Sequence, residues 1–188
     1  MPIVEGQSEE RSVGVLLRRM LGELDIYDVK VARAFRVKRT RVVQEGELER
    51  AVTQAVRSRS GASAVLVMLD ADRDCPATLA PELIERGEGA TTVPVRVVLP
   101  KVETEAWILA AIESVRGQRG IQEDAECPRD PESVRDAKGA LSARMVGTRG
   151  YVATDDQPAL LSALDLSLAA RRSPSFAKLQ RDVASLVQ

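Results

Sequence analysis

Three carboxylates placed after an apolar run carry the sharpest local chemical signal in the chain. Asp70, Asp72 and Asp74 alternate along Leu69-Asp70-Ala71-Asp72-Arg73-Asp74, directly after the run Ala64 to Leu69, and Glu5 likewise ends the short apolar run Pro2-Ile3-Val4. Alternate carboxylates leaving a buried strand converge on one point, where oxygen ligands hold hard cations such as Mg2+ or Mn2+. A cation held there activates water and stabilises a leaving oxygen, chemistry that needs no histidine. The chain has no histidine at all. Ser-His-Asp and Cys-His relays, zincin helices and Cys2His2 fingers are therefore excluded. Its two cysteines, Cys75 and Cys127, are too few for a four-cysteine zinc site or a disulfide framework, and they fit a reducing, cytoplasmic compartment. An EF-hand loop starting at Asp70 fails, because its sixth and twelfth places hold Cys75 and Pro81 instead of glycine and glutamate.

Other groups could reach the same rim. Glu103 and Glu105 open a helical stretch that also carries Trp107, which reads as a core residue, and Lys101 precedes it. Lys101, Lys138, Arg171 and Arg172 are candidate phosphate contacts, as is the basic stretch Lys30, Arg33, Arg36, Lys38, Arg39 and Arg41. Few aromatic side chains, 3% of the chain, are available for base stacking, so nucleic-acid binding would be led by the backbone and sensitive to salt. Net charge is only -1, but residues 61 to 128 carry 12 acids against 6 bases, the local excess a cation site requires. The structural alternative for Asp70, Asp72 and Asp74 is a set of solvated acids capping the next helix.

These residues need elements to position them. Pro2-Ile3-Val4 reads as a strand, followed by a helix capped by Ser8, with Glu9 and Glu10 in its first turn and Val13, Leu16, Leu17, Met20, Leu21 and Leu24 on its core face. A second strand lies within Tyr27 to Val43. Leu48, Ala51, Val52, Ala55 and Val56 mark a helix ending at a Ser58 to Gly61 breaker. Ala64 to Leu69 reads as a strand buried on both faces, Pro76 to Arg86 as a helix, Val93 to Leu99 as a strand placed at an edge by Pro94, and Glu103 to Ile112 as a helix. This alternation predicts an α/β fold with an open, mostly parallel sheet. Residues 117 to 131 lose periodicity. Beyond them Asp130-Pro131, Gln157-Pro158 and Ser173-Pro174 are expected to open helices carrying Val134/Ala137/Leu141/Met145, Leu160/Leu164/Leu168 and Phe176/Leu179/Val183/Leu186. The division expected is an α/β domain over 1 to 116 and a loop with a helical extension over 117 to 188. No apolar run approaches the ~20 residues of a membrane span.

Several ordered motifs resemble the Toprim fold. They are Val4-Glu5-Gly6-x-x-Glu9-Glu10, Leu69-Asp70-Ala71-Asp72-x-Asp74-Cys75-Pro76, Glu103-x-Glu105-Ala106-Trp107, Asp136-Ala137-Lys138, Tyr151 with Asp156-Gln157, and Ser173-Pro174-Ser175-Phe176. Together they are similar to a bacterial Toprim-like family of uncharacterised function, related to the nuclease half of the overcoming-lysogenization-defect proteins. The resemblance implies a Mg2+- or Mn2+-dependent nuclease or phosphotransferase acting on DNA or RNA, in phage defence or DNA repair and beside an ATPase partner. It implies Glu5 as general acid/base or metal ligand, Asp70 and Asp72 as Mg2+ ligands, and Asp74 or Glu9 in support of a second ion. Glu105 is a further candidate ligand. The alternatives are a non-catalytic binding or adaptor subunit of the same fold and a phosphatase resembling the haloacid dehalogenases. The phosphatase would use Asp70 as nucleophile, although Asp74 stands where threonine is common.

Overall fold

In a computed structural model, which describes residues 1–58 and 61–187, four strands form one parallel sheet in the order β2-β1-β3-β4. They are β1 (Pro2–Val4), β2 (Phe35–Arg36), β3 (Val65–Met68) and β4 (Val95–Val98). Ile3 pairs with Phe35 on one side and Val67 on the other, and Val67 pairs with Val97. Every residue of β1 and β3 is buried, as apolar runs between two helical layers require. β4 lies at the edge as expected, and Pro94 takes part only through its carbonyl, which accepts from Val65 N at 2.9 Å. The chain moves from β1 to β2 on one side and returns to β3 on the other. Strand order therefore reverses between β1 and β3, the place where open parallel sheets form a ligand crevice at their carboxyl ends. Glu5 and Asp70 follow those two strands.

Successive strand residues feed two cores. Val4, Leu66, Met68 and Val98 face α1 (Gln7–Glu23) and α5 (Glu105–Ala110). Ile3, Val65, Val67, Val95 and Val97 face α2 (Arg39–Val42), α3 (Glu47–Arg57) and α4 (Pro76–Gly89). α4 lies so close to β4 that a Cβ at Gly87 would stand 2.9 Å from Val95 Cγ1. Two details expected of α1 change. The N-cap of α1 is Gly6, not Ser8; the Ser8 hydroxyl turns to the Glu9 carboxylate, a charged acceptor and so a stronger one than a backbone group. The stripe ends at Leu21, because Leu24 is the C-cap and 43% exposed. Positions 59 and 60 of the Ser58 to Gly61 breaker lie outside the described residues.

Short 3-10 turns (Ile112–Val115, Gln118–Gly120, Pro131–Ser133) lead to α6 (Ala137–Ser142), α7 (Ala153–Ala163), α8 (Leu166–Arg172) and α9 (Pro174–Ser185). Asp130-Pro131 opens only the last of those turns; α6 begins at Ala137, where Asp136 Oδ1 accepts from Gly139 N at 2.8 Å. Gln157-Pro158 opens nothing, since both residues lie inside α7. Proline has no N–H for the Thr154 carbonyl, and Arg11 of α1 donates to that oxygen instead, at 3.4 Å. Leu164 caps α7, so Leu168 belongs to α8. Ser173 does cap α9, accepting from Phe176 N at 3.2 Å.

Trp107 is fully buried, as expected, edge-on to Phe176 with ring centroids 5.3 Å apart, and its Nε1 donates to Ser175 Oγ at 2.8 Å. Glu132 completes that network by accepting from both serine hydroxyls and from Ser175 N. One core therefore runs from Val4 and Met68 through Trp107 into Leu160 and Phe176 of the extension. The result is α/β, an open parallel sheet covered on both faces with a helical extension, and it is consistent with a Toprim-like fold. Among the described residues no helix is long and apolar enough to cross a membrane.

Candidate functional site

Asp70 is the anchor of the sheet's carboxyl edge. Its Oδ1 accepts from both the N–H and the hydroxyl of buried Thr104, each at 2.9 Å, which ties the end of β3 to the start of α5. The loop after it is held from the other side by Arg39 of α2. That guanidinium donates to the Asp70 carbonyl at 2.8 Å and the Ala71 carbonyl at 3.1 Å, pairs with Asp74 and lies 3.6 Å from Asp72. Asp72 itself takes a left-handed backbone, φ 52°, which aspartate tolerates better than most residues. Asp72 and Asp74 are exposed, whereas Glu5 is half-buried.

Glu9, in the first turn of α1, folds back over Gly6, and any side chain at position 6 would collide with its carboxylate. Buried Gln157 of α7 spans the gap from there to α5. Its Nε2 donates to Glu9 Oε1 at 3.1 Å and Glu105 Oε1 at 3.2 Å, while its Oε1 accepts from Ser12 at 2.6 Å, which fixes the amide's orientation. Tyr151 also donates to Glu105 Oε1, at 3.2 Å. Glu105 is fully buried, and its Oε2 has no hydrogen-bond partner among the described residues; Lys138 Nζ stands 3.5 Å away. Lys138 binds Glu103 at 2.9 Å, and Glu103 in turn accepts from Ala137 N and Lys138 N at the start of α6.

The charges of this edge are poorly compensated. Burial, then the charges of Glu9 and Glu105, push Asp70 up to about 8, against the hydrogen bonds from Thr104. Burial and the charge of Asp72, with Glu9 adding to them, raise Glu5 although Arg39 opposes. Burial raises Glu105 against the pull of Lys138. Burial works to lower Lys138, but its bond to Glu103 and the charges of Glu105, Glu103 and Asp70 outweigh it and hold the ammonium above its ordinary value.

Glu5, Glu9, Asp70, Asp72 and Glu105 thus form one electrostatic neighbourhood. Among the described residues, however, no group of three or more carboxylates or thiols stands in a geometry that holds a metal ion. Of the proposed phosphate contacts, Lys138 joins the carboxylates and the others do not. Lys101 is exposed after β4, Arg171 is exposed on α8, and Arg172 is bound to Glu113 at 2.7 Å and to the Ala110 carbonyl. The basic stretch is partly engaged inside the protein, through Arg33 on Glu10, Arg41 on Glu47 and Arg39 on the Asp70 loop.

The neighbourhood's neutral members, Thr104, Ser12 and Gln157, have no charge pattern that marks them in the sequence. Tyr151 and Gln157 stand out there only within the motifs of the resemblance, and Arg39 only as one cation of six.

A protein-family model described as Domain of unknown function (DUF4276) matches residues 4–184. No curated protein and no solved structure matches the chain.

Proposed function

We propose that this chain, which belongs to the Domain of unknown function (DUF4276) family, hydrolyses phosphodiester bonds in nucleic acid with the help of Mg2+ or Mn2+, as the Toprim nucleases it resembles do. The observation that carries the reading is the gathering of carboxylates at the strand-order reversal, where Gln157 bonds both Glu9 and Glu105 and where burial and the charges of those two acids raise Asp70. The donor set fits a hard cation in kind. It is all oxygen, and it includes a buried carboxylate oxygen, Glu105 Oε2, that has no hydrogen-bond partner among the described residues and faces Lys138 Nζ at 3.5 Å. When bound, such an ion supplies an activated water and charge neutralisation at the phosphate.

The chain's own residues do the rest. Asp70, fixed by Thr104, and Asp72 would hold the ion, with Glu9 and Glu105 behind them. Glu5 moves a proton at its half-buried carboxylate, whose raised affinity for protons suits a general acid or base. Arg39 fixes the Asp70 to Asp74 loop, and Lys138 places positive charge beside Glu103 and Glu105. A setting in phage defence or DNA repair beside an ATPase follows from the same resemblance.

One observation favours a second reading, a non-catalytic binding subunit of the same fold: the carboxylates are not preassembled as a ligand set. Purified protein incubated with single- and double-stranded DNA and RNA in Mg2+, Mn2+ or EDTA separates the two. Hydrolysis that requires the ion and disappears in Asp70→Ala is the expected result. Binding without cutting supports the second reading, and cutting that persists in EDTA or in Asp70→Ala overturns the metal mechanism.

A further inference from the structure

Away from the carboxylates, Asp156 is fully buried in the first turn of α7, and two guanidiniums converge on one of its oxygens. Arg119 Nε lies 2.9 Å and Arg149 Nη2 3.0 Å from Oδ1, while Oδ2 accepts from Val152 N at 2.8 Å. A structural ion pair needs one guanidinium, commonly seated by two parallel bonds. Here a single carboxylate faces two full positive charges. Each arginine has five N–H donors and uses one of them in a hydrogen bond among the described residues. Their side chains remain 42% and 46% exposed, so both forks open to solvent. The other acid of the turn, Asp155, lies 3.7 Å from Arg11 and does not cancel the surplus.

The backbone is bent to achieve this. Arg119 sits at φ 53°, ψ 20°, in the left-handed region, between Gly117 at φ 72° and Gly120 at φ 88°. Such conformations persist where the surrounding structure fixes a side chain's placement, and they concentrate at ligand clamps. The pair is also tied to the carboxylate edge. Asp156 adjoins Gln157, which bonds Glu9 and Glu105, and Arg149 lies two residues before Tyr151, which donates to Glu105.

We propose that Arg119 and Arg149 form an anion site for the phosphodiester backbone of a nucleic acid, seating the phosphates that flank the one presented to the carboxylates. This rests on the hydrolase reading above for the nature of the ligand. Two planar forks sharing one buried counter-ion match phosphate oxygens bidentately while keeping a net positive charge. The sequence-based contacts Arg171 and Arg172 lack this convergence.

The test is binding of a fluorescein-labelled single-stranded oligodeoxynucleotide, in EDTA and over a range of salt. Arg119→Gln/Arg149→Gln should weaken binding at least tenfold and flatten the slope of log affinity against log salt by about 1.4, roughly 0.7 for each phosphate no longer neutralised. Because that variant leaves Asp156 buried and unpaired, Arg119→Gln/Arg149→Gln/Asp156→Asn removes the charge with its partners and should give the same loss in a folded protein. Asp156→Asn alone releases the arginines from their counter-ion and should tighten binding several-fold, which a merely structural pair would not do. Unchanged affinity and salt slope in the triple variant, or no gain in Asp156→Asn, overturns the site. A cation-induced rise in melting temperature, measured on the same proteins, reports separately on the carboxylates. Its absence in the wild type sinks the hydrolase reading, whereas the oligonucleotide data decide the arginine pair.

Discussion

At Asp70 two influences oppose each other, and their balance makes a pH prediction. Thr104 donates twice to the carboxylate and favours its charged form, but burial and the neighbouring charges of Glu9 and Glu105 favour the acid and prevail, at about 8. The unfolded chain releases the same proton near 3.8. Between those values the native state binds more protons than the unfolded state, so stability falls as pH rises. In EDTA the protein should therefore be most stable, as far as this group decides, below about pH 4, losing stability steadily up to about pH 8 and then levelling. Asp70→Asn should flatten that profile and melt higher than wild type at pH 8. Melts at matched pH values check it, and an equally steep profile in Asp70→Asn would assign the dependence to other groups. The charged members of the site were legible in the sequence because acids following an apolar run are visible as such. Ser12 and Thr104 were not, and Gln157 stood out only within a motif of the resemblance, since a neutral amide or hydroxyl gains its role only when folding sets it beside a carboxylate.

At the scale of elements, α1 does two jobs that meet at Gly6. Its stripe from Val13 to Leu21 packs beneath the sheet, and its first turn brings Glu9 back over the residue that caps it. Gly6 has an extended backbone, φ -100° and ψ 170°, that alanine adopts without strain, and the group its Cβ would strike is the movable end of Glu9. Gly6→Ala should consequently change folding stability by no more than about 1 kcal/mol while displacing Glu9 and weakening the melting response to Mg2+. Urea unfolding with and without the ion checks both halves. Full retention of the Mg2+ response would show that Glu9 is not needed where it stands.

The buried strands and amphipathic helices on this side were readable from apolar runs and 3.6-residue spacing, because burial is what those patterns encode. Start signals served less well where tertiary partners intervened. Pro158 sits inside α7 because Arg11, 147 positions away in the chain, takes over the carbonyl it frees, and Asp130-Pro131 yields a single 3-10 turn before Asp136 caps α6.

For the molecule as a whole, the reversal of strand order between β1 and β3 is what brings Glu5 and Asp70 to the same edge although 65 residues separate them. The extension then closes over that edge: Lys138 of α6, Tyr151, and Gln157 of α7 each contact Glu105 or Glu103, and the core is continuous beneath them. Alternating elements announce such a sheet in the sequence. The closure was less legible there, because it depends on helices of the extension contacting residues far away in the chain. Carboxylates gathered in this way repel one another until a cation neutralises them, so a bound ion must stabilise the native state by mass action. The most direct test is the melting temperature of the wild type across a Mg2+ titration, beside Asp70→Asn and Glu105→Gln. The wild-type midpoint should climb with concentration, by about 2.7 kcal/mol of added stability at a hundred times the dissociation constant, and both variants should lose most of that climb. A flat wild-type titration, or an equal rise in Asp70→Asn, would contradict a cation site at the carboxyl edge of this sheet.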